Sequence, residues 1–288
     1  MTSAMSASTT APRTIKPYDR EALRQQWRSA QPFPFFKIDG FLDEAFANEV
    51  THAMPSFADA QRLGFTFKSV NEKLKLQVTD WTRFPPPVLA LHKALASQEF
   101  LDDLVYITGI PKLLADDKLD GGGMHQTGPG GRLDVHVDFN ILEDRGWHRR
   151  LNILVYFNPI WQEDWGGRIE LWDKDVKKCW HSFVPILNRC VVFETSDTSY
   201  HGVTPLSAPE GMSRKSFAAY YYTAEPPAHW DGKTHSTVFQ ARPDEKWKGI
   251  VAMPLERVRH TLRNSWKSMK KVARRTLGMP PTKPPAQD

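Results

Sequence analysis

The stretch LDVHVDF, residues 133–139, alternates between apolar and polar side chains. Successive side chains of a β-strand point to opposite faces, so this alternation predicts a strand with one apolar and one polar face. The apolar face carries Leu133, Val135, Val137 and Phe139. The polar face carries Asp134, His136 and Asp138. His136 and Asp138 therefore point the same way and are candidates for binding one metal ion.

Short apolar or alternating segments surround this strand between residues 113 and 224, separated by glycine, proline and asparagine. They are LNILVYFN (151–158), RIELW (168–172), RCVVFE (189–194) and RKSFAAYYYT (214–223). The first is almost continuously apolar, which is typical of a strand buried on both faces. Together these segments predict an antiparallel all-β core, a barrel or sandwich of the jelly-roll type.

Residues 21–112 have a mostly helical pattern and precede the predicted β core. Asp43 can cap a helix that carries Phe46, Val50 and Met54 on one stripe. A second segment begins after three consecutive prolines at 85–87, and a third follows Ser97 and ends at Gly109. We therefore expect an α+β chain in which a helical buttress at 21–112 packs on a β core at 113–224.

The two ends of the chain differ from this domain. Residues 1–20 lack an apolar core segment of the kind found in secretory signals, so a disordered tail is expected there. Residues 225–288 read as a linker followed by a basic amphipathic helix between Leu255 and Leu277. That helix either docks on the core with a solvated basic face or contacts a membrane surface or polyanion.

Composition restricts the class of protein further. The 288 residues are 40% hydrophobic and 11% aromatic, which is enough apolar material for a substantial core. Cys179 and Cys190 are too few for a disulfide framework, which favours a reducing, cytoplasmic location, with peripheral membrane contact as the alternative. No window approaches 18 consecutive apolar residues, so a transmembrane helix is not expected.

A catalytic metal needs a third ligand, and His201 in the segment TSYHGVTP supplies a candidate. Two imidazoles and one carboxylate on one side of an ion form a facial triad that leaves other coordination positions open. Arg214 and Ser216 then share one face of a later strand. A guanidinium and a neighbouring hydroxyl together suit the far carboxylate of a dicarboxylic acid.

These residues resemble the signature of the Fe(II)- and 2-oxoglutarate-dependent oxygenases, in particular their prolyl-hydroxylase-like branch, over roughly residues 32–223. The matching segments are His136-Val-Asp138, RRLNILVYFNPIW, GGRIELW, NRCVVF, His201-Gly and Arg214-Lys-Ser216. Leu133 differs, since many prolyl hydroxylases carry tyrosine there. Collagen-type enzymes also carry lysine where this chain has Arg214.

The resemblance implies a double-stranded β-helix, a form of jelly roll, in which His136, Asp138 and His201 bind Fe(II). It implies that Arg214 and Ser216 bind the 5-carboxylate of 2-oxoglutarate, with Tyr156 as a partner and Asn152 lining the same pocket. The implied chemistry is hydroxylation of an aliphatic C–H bond with O2 as cosubstrate and release of succinate and CO2. Ascorbate is a further cofactor that the resemblance suggests.

The sequence leaves two other interpretations open. The chain could be a non-catalytic β-helix module that binds a membrane surface or polyanion through its basic C-terminal helix. It could also be a cupin-like metalloenzyme without a cosubstrate, although that leaves Arg214 and Ser216 without a role. The substrate is not determined by these patterns: a prolyl side chain of a protein, a free amino acid, and a saccharide or lipid intermediate all fit.

Overall fold

The computed structural model describes residues 14–69, 71–228 and 230–245. Within them the helices are α1 Arg20–Ser29, α2 Glu44–Ala53, α3 Phe57–Leu63, α4 Pro86–Leu95 and α5 Gln98–Thr108. The strands are β1 Phe35–Asp39, β2 Phe65–Lys68, β3 Glu72–Val78, β4 Leu114–Ala115, β5 Gly123–Val137, β6 Ile141–Leu142, β7 Trp147–Tyr156, β8 Ile169–Trp172, β9 Cys179–Phe183, β10 Arg189–Glu194, β11 His201–Val203, β12 Arg214–Thr223 and β13 Val238–Phe239.

Polar side chains define where the helices begin. Asp43 accepts hydrogen bonds from the first turn of α2, and Ser97 does the same for α5. These bonds satisfy backbone N–H groups that have no partner inside a helix. Helix α5 ends at Gly109, whose φ of 73° is the left-handed conformation that glycine adopts without a steric penalty. The capping signals in the sequence therefore predicted these boundaries correctly.

The strands form one curled antiparallel sheet. Its main path runs β1-β10-β7-β12-β5-β11-β8-β9, while β3 and β13 pair with β5, β2 with β3, β4 with β12 and β6 with β7. Along the main path only β8 and β9 are both consecutive in the chain and neighbours in the sheet, as expected for a jelly roll rather than a meander. The predicted fold class, a jelly-roll β core with flanking helices, is confirmed.

Strand β5 joins the two halves of the curled sheet. Its first residues, Gly123 to Thr127, pair with β12, whereas Leu133 and His136 pair with β11. The change of partner falls at the segment Gly128-Pro-Gly-Gly131. A Cβ atom on Gly131 would lie 2.6 Å from the Thr127 side chain and 2.8 Å from the Lys73 carbonyl oxygen. Only glycine fits there, so this segment lets β5 bend and carry His136 into the interior.

The helices pack against the outer face of β7, β10 and β12, as predicted. Leu151, Ile153 and Val155 on β7 belong to the same apolar cluster as Val88 and Leu104 of the helices. The alternate side chains of β7 point inward, which explains why its sequence is apolar almost without interruption. The inner face carries a second cluster, which consists of Phe33, Phe35, Tyr156, Ile169, Leu171, Val191 and Phe193.

Residues 21–112 are less helical than the sequence analysis predicted. Strand β1 lies within this range and pairs with β10, placing Phe35 opposite Phe193. The hairpin of β2 and β3 also lies within it, and β3 pairs along β5. Short strands of four to seven residues are stabilised by partners far along the chain, so local periodicity did not reveal them.

Both predicted boundaries of the folded domain need correction. The predicted tail of 1–20 is too long, because Ile15 bridges to Leu42 and the Tyr18 hydroxyl donates to Asp103 at 2.7 Å. At the other end, the domain does not stop at residue 224, because β13 pairs with β5 and the compact unit extends to Gln240. Residues 1–13 and the predicted basic helix at 255–277 lie outside the described residues.

Among the described helices, none combines the length and the apolar character that a membrane crossing would require.

Candidate metal centre and cosubstrate pocket

Strands β5 and β11 bring together three candidate ligands. His136 and His201 are directly opposite each other in the antiparallel ladder, and Asp138 follows β5 by one residue. The Nε2 atom of His136 lies 3.5 Å from one Asp138 carboxylate oxygen, and that of His201 lies 3.4 Å from the other. Ligand atoms of the three side chains all lie within 4.8 Å of one another. The predicted convergence is therefore present in the structure.

Hydrogen bonds orient both imidazoles toward the carboxylate. The Nδ1 atom of His136 lies 2.8 Å from the carbonyl oxygen of Asp134, and that of His201 lies 3.0 Å from the carbonyl oxygen of Ser199. An Nδ1–H group that donates to a carbonyl leaves Nε2 with a free lone pair. Both lone pairs are then available on the side of Asp138.

The charge state of the cluster also suits a cation. Burial by itself would raise the pKa of Asp138, but Arg149 and His201 hold that pKa well below its usual range. Burial lowers the pKa of His136, and the neighbouring His201 lowers it further. At neutral pH the cluster thus presents an ionised Asp138 and a neutral imidazole at His136. The nitrogen-to-oxygen distances of 3.4 and 3.5 Å, with all ligand atoms within 4.8 Å of one another, are short enough for the three side chains to share one ion.

The donor set therefore fits Fe(II). Two imidazoles and one carboxylate are the ligands of the facial triad that is characteristic of non-haem iron oxygenases. His136, Asp138 and His201 are all at least largely buried, so a bound ion would be held away from bulk water on the protein side.

Arg149 and Asn152 form a polar group behind Asp138. Asn152 donates to Asp138 at 2.8 Å and accepts two hydrogen bonds from Arg149, at 2.7 and 3.0 Å. The Arg149 guanidinium lies 3.2 Å from Asp138 and 3.6 Å from the ring centre of Tyr220. The structure thus places Asn152 against the carboxylate ligand. That Asn152 also lines the cosubstrate pocket stays a prediction.

Sequence reasoning did not identify Arg149 as a site residue. Strand alternation would place Arg149 on the outer face with Leu151 and Ile153. The ladder between β7 and β12 shifts register between Tyr221 and Tyr222, next to Arg149, so local spacing gave no signal for its inward position. The Arg149 guanidinium is buried, and its positive charge balances the negative charge of the Asp138 carboxylate inside the curled sheet. A buried guanidinium is costly without a partner of opposite charge, and Asp138 is that partner here.

A second group of candidate residues converges around Arg214. Its Nε donates to the Gly167 carbonyl oxygen at 2.7 Å, and its two other nitrogens donate to Tyr156 Oη at 3.2 Å and Ser216 Oγ at 3.4 Å. Gly167 has a φ of 66°, and its α-carbon faces the Arg214 side chain so closely that a Cβ would lie 3.2 Å from Cδ. The predicted Arg214, Ser216 and Tyr156 are therefore neighbours.

Charge makes the Arg214 group an anion-binding candidate. Burial lowers the pKa of Arg214, and its contacts within the described residues are a carbonyl and two hydroxyl oxygens rather than a carboxylate. A buried guanidinium without a negative partner is unfavourable, so a carboxylate ligand would be bound strongly there. Phe193 connects the two regions, because its ring lies 4.7 Å from that of His201 and it packs in the inner cluster with Tyr156.

A cavity of about 600 Å³ lies beside the metal-site loop, within the size range of small-molecule pockets. Its walls include Phe139 and Asn140, which directly follow Asp138, and Thr234, His235 and Ser236 from the segment before β13.

Comparisons with known proteins agree with this geometry. Residues 122–222 match the family model of the 2OG-Fe(II) oxygenase superfamily. These residues form a 2OG-Fe(II) oxygenase domain. The superfamily uses Fe(II), 2-oxoglutarate and O2, so the predicted cofactor class is confirmed.

Individual relatives are similar to parts of the chain. Prolyl 3-hydroxylase OGFOD1 from Mus musculus is 32% identical over 90 residues, which make up 29% of this chain and 16% of that protein. The solved structure of a prolyl hydroxylase from Trichoplax adhaerens, in complex with a hypoxia inducible factor peptide fragment, has a TM-score of 0.52 at 19% identity. The matched region covers 70% of this chain and 88% of the Trichoplax chain. A Pseudomonas putida prolyl-4-hydroxylase has a TM-score of 0.50 at 15% identity, covering 71% and 99%.

The two structural likenesses establish that the oxygenase domain has the fold of prolyl hydroxylases. Because the match to the mouse protein spans less than two thirds of that relative, it does not extend to its whole activity.

Proposed function

We propose that this protein is an Fe(II)- and 2-oxoglutarate-dependent hydroxylase that acts on an aliphatic C–H bond. The observation that carries the proposal is the pairing of two buried groups in one jelly roll: the His136, Asp138, His201 cluster and the Arg214, Ser216, Tyr156 group. A metal-only enzyme would need the first group alone. A non-catalytic module would need neither, and both are intact.

The side chains have separate roles in this proposal. The metal is bound by His136, Asp138 and His201. The positive charge of Arg149 keeps the Asp138 carboxyl group ionised. Arg214 binds the 5-carboxylate of 2-oxoglutarate, with Ser216 and Tyr156 as further hydrogen-bond partners. When bound, Fe(II) supplies the redox chemistry that couples oxidation of 2-oxoglutarate to succinate and CO2 with insertion of one oxygen atom of O2 into a substrate C–H bond.

For the substrate we propose a prolyl residue of a protein first and a small metabolite second. The prolyl 3-hydroxylase and prolyl hydroxylase named above support that order, since they share sequence or fold with the oxygenase domain. The cavity of about 600 Å³ next to Phe139 has room for one residue of a peptide or for a small molecule, so its size does not decide between them.

The test is succinate release by the full-length protein with Fe(II), 2-oxoglutarate and O2, screened against prolyl peptides and candidate metabolites. His136→Ala should abolish turnover, because one of three ligands is lost. His181→Ala is the matched control, since His181 is a partly exposed histidine on β9 whose Nε2 lies near the carbonyl of Gln31. Wild-type succinate release by His136→Ala would refute the proposal.

A further inference from the structure

The segment 230–240 crosses the sheet edge next to the metal ligands. Its strand β13 pairs with β5, with Val238 opposite Val137 and Phe239 opposite His136. One residue later, the backbone N–H of Gln240 donates to the carbonyl of Val135 at 2.8 Å. Residues of a disordered linker would not form such a ladder, so this segment, here named the strap, is part of the site's framework.

The ladder places three rings in one row. His201 lies opposite His136 on β11, and Phe239 lies opposite His136 on β13. Directly opposite residues in an antiparallel pair carry their side chains on the same face. The His136 ring centre accordingly lies 4.3 Å from that of His201 and 5.3 Å from that of Phe239, with Phe239 tilted by 36°.

The ring of Phe239 restricts the His136 imidazole in a way that a single hydrogen bond does not. The bond between His136 Nδ1 and the Asp134 carbonyl fixes one edge of the ring but leaves the ring able to tilt about that bond. A neighbouring phenyl ring at 5.3 Å opposes the tilt of the imidazole, and the direction of the Nε2 lone pair depends on that tilt. His201 already has such a neighbour in Phe193, at 4.7 Å, from the core of the sheet. For His136 the corresponding ring comes from the strap.

Side chains beside Asp138 hold the strap in position. The Asn140 side chain donates to the carbonyl of Lys233 at 2.9 Å and accepts from the backbone N–H of His235 at 3.0 Å. His235 Nε2 lies 2.9 Å from an Asp197 carboxylate oxygen. The strap is thus fastened at one end to the loop after Asp138 and at the other end to β5.

We propose that the strap is a positioning element for the metal centre, in which Phe239 fixes the plane of the His136 imidazole and Asn140 holds Phe239 in place. The inference rests on the proposed metal site, and it assigns Phe239 a positioning role rather than a catalytic one.

The test is titration of the metal-free, full-length protein with Co(II), followed by the visible absorption of the bound ion. Phe239→Ala should weaken Co(II) binding by roughly tenfold, the lower end of the range for groups that orient metal ligands, and should alter the Co(II) spectrum. Asn140→Ala, which keeps Phe239, should also weaken Co(II) binding and alter the Co(II) spectrum. Val238→Ala is the matched control, because Val238 is the exposed neighbour in β13 and should leave both properties unchanged.

Far-ultraviolet circular dichroism and the melting temperature separate misfolding from positioning. A Phe239→Ala variant that is folded and binds Co(II) with wild-type affinity and spectrum would overturn the role of the strap while the metal site stands. If the wild-type protein itself binds no Co(II), the proposed metal site fails and the strap's role fails with it. If Phe239→Ala does not fold, wild-type Co(II) affinity and spectrum in Asn140→Ala would overturn the proposal.

Discussion

Replacing Arg214 by methionine separates binding of the cosubstrate from stability of the fold. The Arg214 side chain is buried and its three hydrogen bonds go to uncharged oxygen atoms. Methionine keeps most of the length and removes both the charge and the hydrogen bonds. The variant no longer buries a charge, which is favourable, but it loses three hydrogen bonds, which is unfavourable. Because the two effects oppose each other, the free energy of unfolding should stay within about 2 kcal/mol of the wild-type value.

The loss of binding should be much larger. A bidentate contact between Arg214 and the 5-carboxylate would comprise two hydrogen bonds to charged groups, worth about 1.5–3 kcal/mol each. Their sum, about 3–6 kcal/mol, corresponds to a fall in 2-oxoglutarate affinity of about 10² to 10⁴.

A thermal or chemical denaturation assay with Mn(II) and 2-oxoglutarate measures both effects. At a ligand concentration of 100 times its Kd, the wild-type protein gains about 2.7 kcal/mol of stability, whereas a variant with hundredfold weaker binding gains only about 0.4 kcal/mol. Lys215→Met is the matched control, because Lys215 is the adjacent, partly buried cation of β12 and donates instead to the carbonyl of Met54. Equal stabilisation of Arg214→Met and wild type by 2-oxoglutarate would refute the assignment of Arg214.

Three further predictions concern buried polar residues. Asn152→Ala should weaken Co(II) or Mn(II) binding by about 10- to 100-fold in a calorimetric titration, because Asp138 loses the amide that orients it; unchanged affinity would count against this role. Burial lowers the pKa of His125 from its ordinary 6.5 to about 3, so the unfolded chain takes up a proton below pH 6.5 that the native protein does not bind. As the pH falls from 6.5 toward 3, the free energy of unfolding should therefore decrease by up to about 1.4 kcal/mol per pH unit. In urea unfolding, His125→Gln should make this dependence on pH weaker. An identical pH dependence in the variant would contradict the reasoning. Asn188→Ala should cost about 2–4 kcal/mol in urea unfolding, since its side chain pairs with both the N–H and the carbonyl of Leu42, and a smaller loss than about 1 kcal/mol would show that water replaces it.

The parts of the site that the sequence could predict are those set by local spacing. His136 and Asp138 are two residues apart, as are Arg214 and Ser216, so strand periodicity alone puts each pair on one face. The meeting of His201 with the first pair followed from the order of motifs along the chain. Tyr156 lies opposite Ser216 in the ladder between β7 and β12, which is consistent with the inward direction predicted for it.

The parts that could not be predicted depend on contacts between distant strands. Arg149 is on β7 and Asp138 follows β5, and these strands are not neighbours in the sheet, because β12 lies between them. Arg149 reaches the carboxylate by passing over the ring of Tyr220, which is on β12. Phe239 is similarly remote from His136 along the chain. No local pattern distinguishes such residues from ordinary packing, since curvature of the sheet decides which side chains meet.

The distribution of buried charge explains why a metal and a dicarboxylate suit the same interior. Arg149 is paired with Asp138, whereas the contacts of Arg214 are uncharged, so these three side chains carry one net positive charge. A divalent cation alone would add two positive charges near buried arginines, and a dianion alone would leave net negative charge beside Asp138. Bound together, the two ligands cancel and leave the charge of the three side chains unchanged. Since charges far from water interact strongly, each ligand reduces the electrostatic cost of the other, and the interior favours their joint occupancy over either alone.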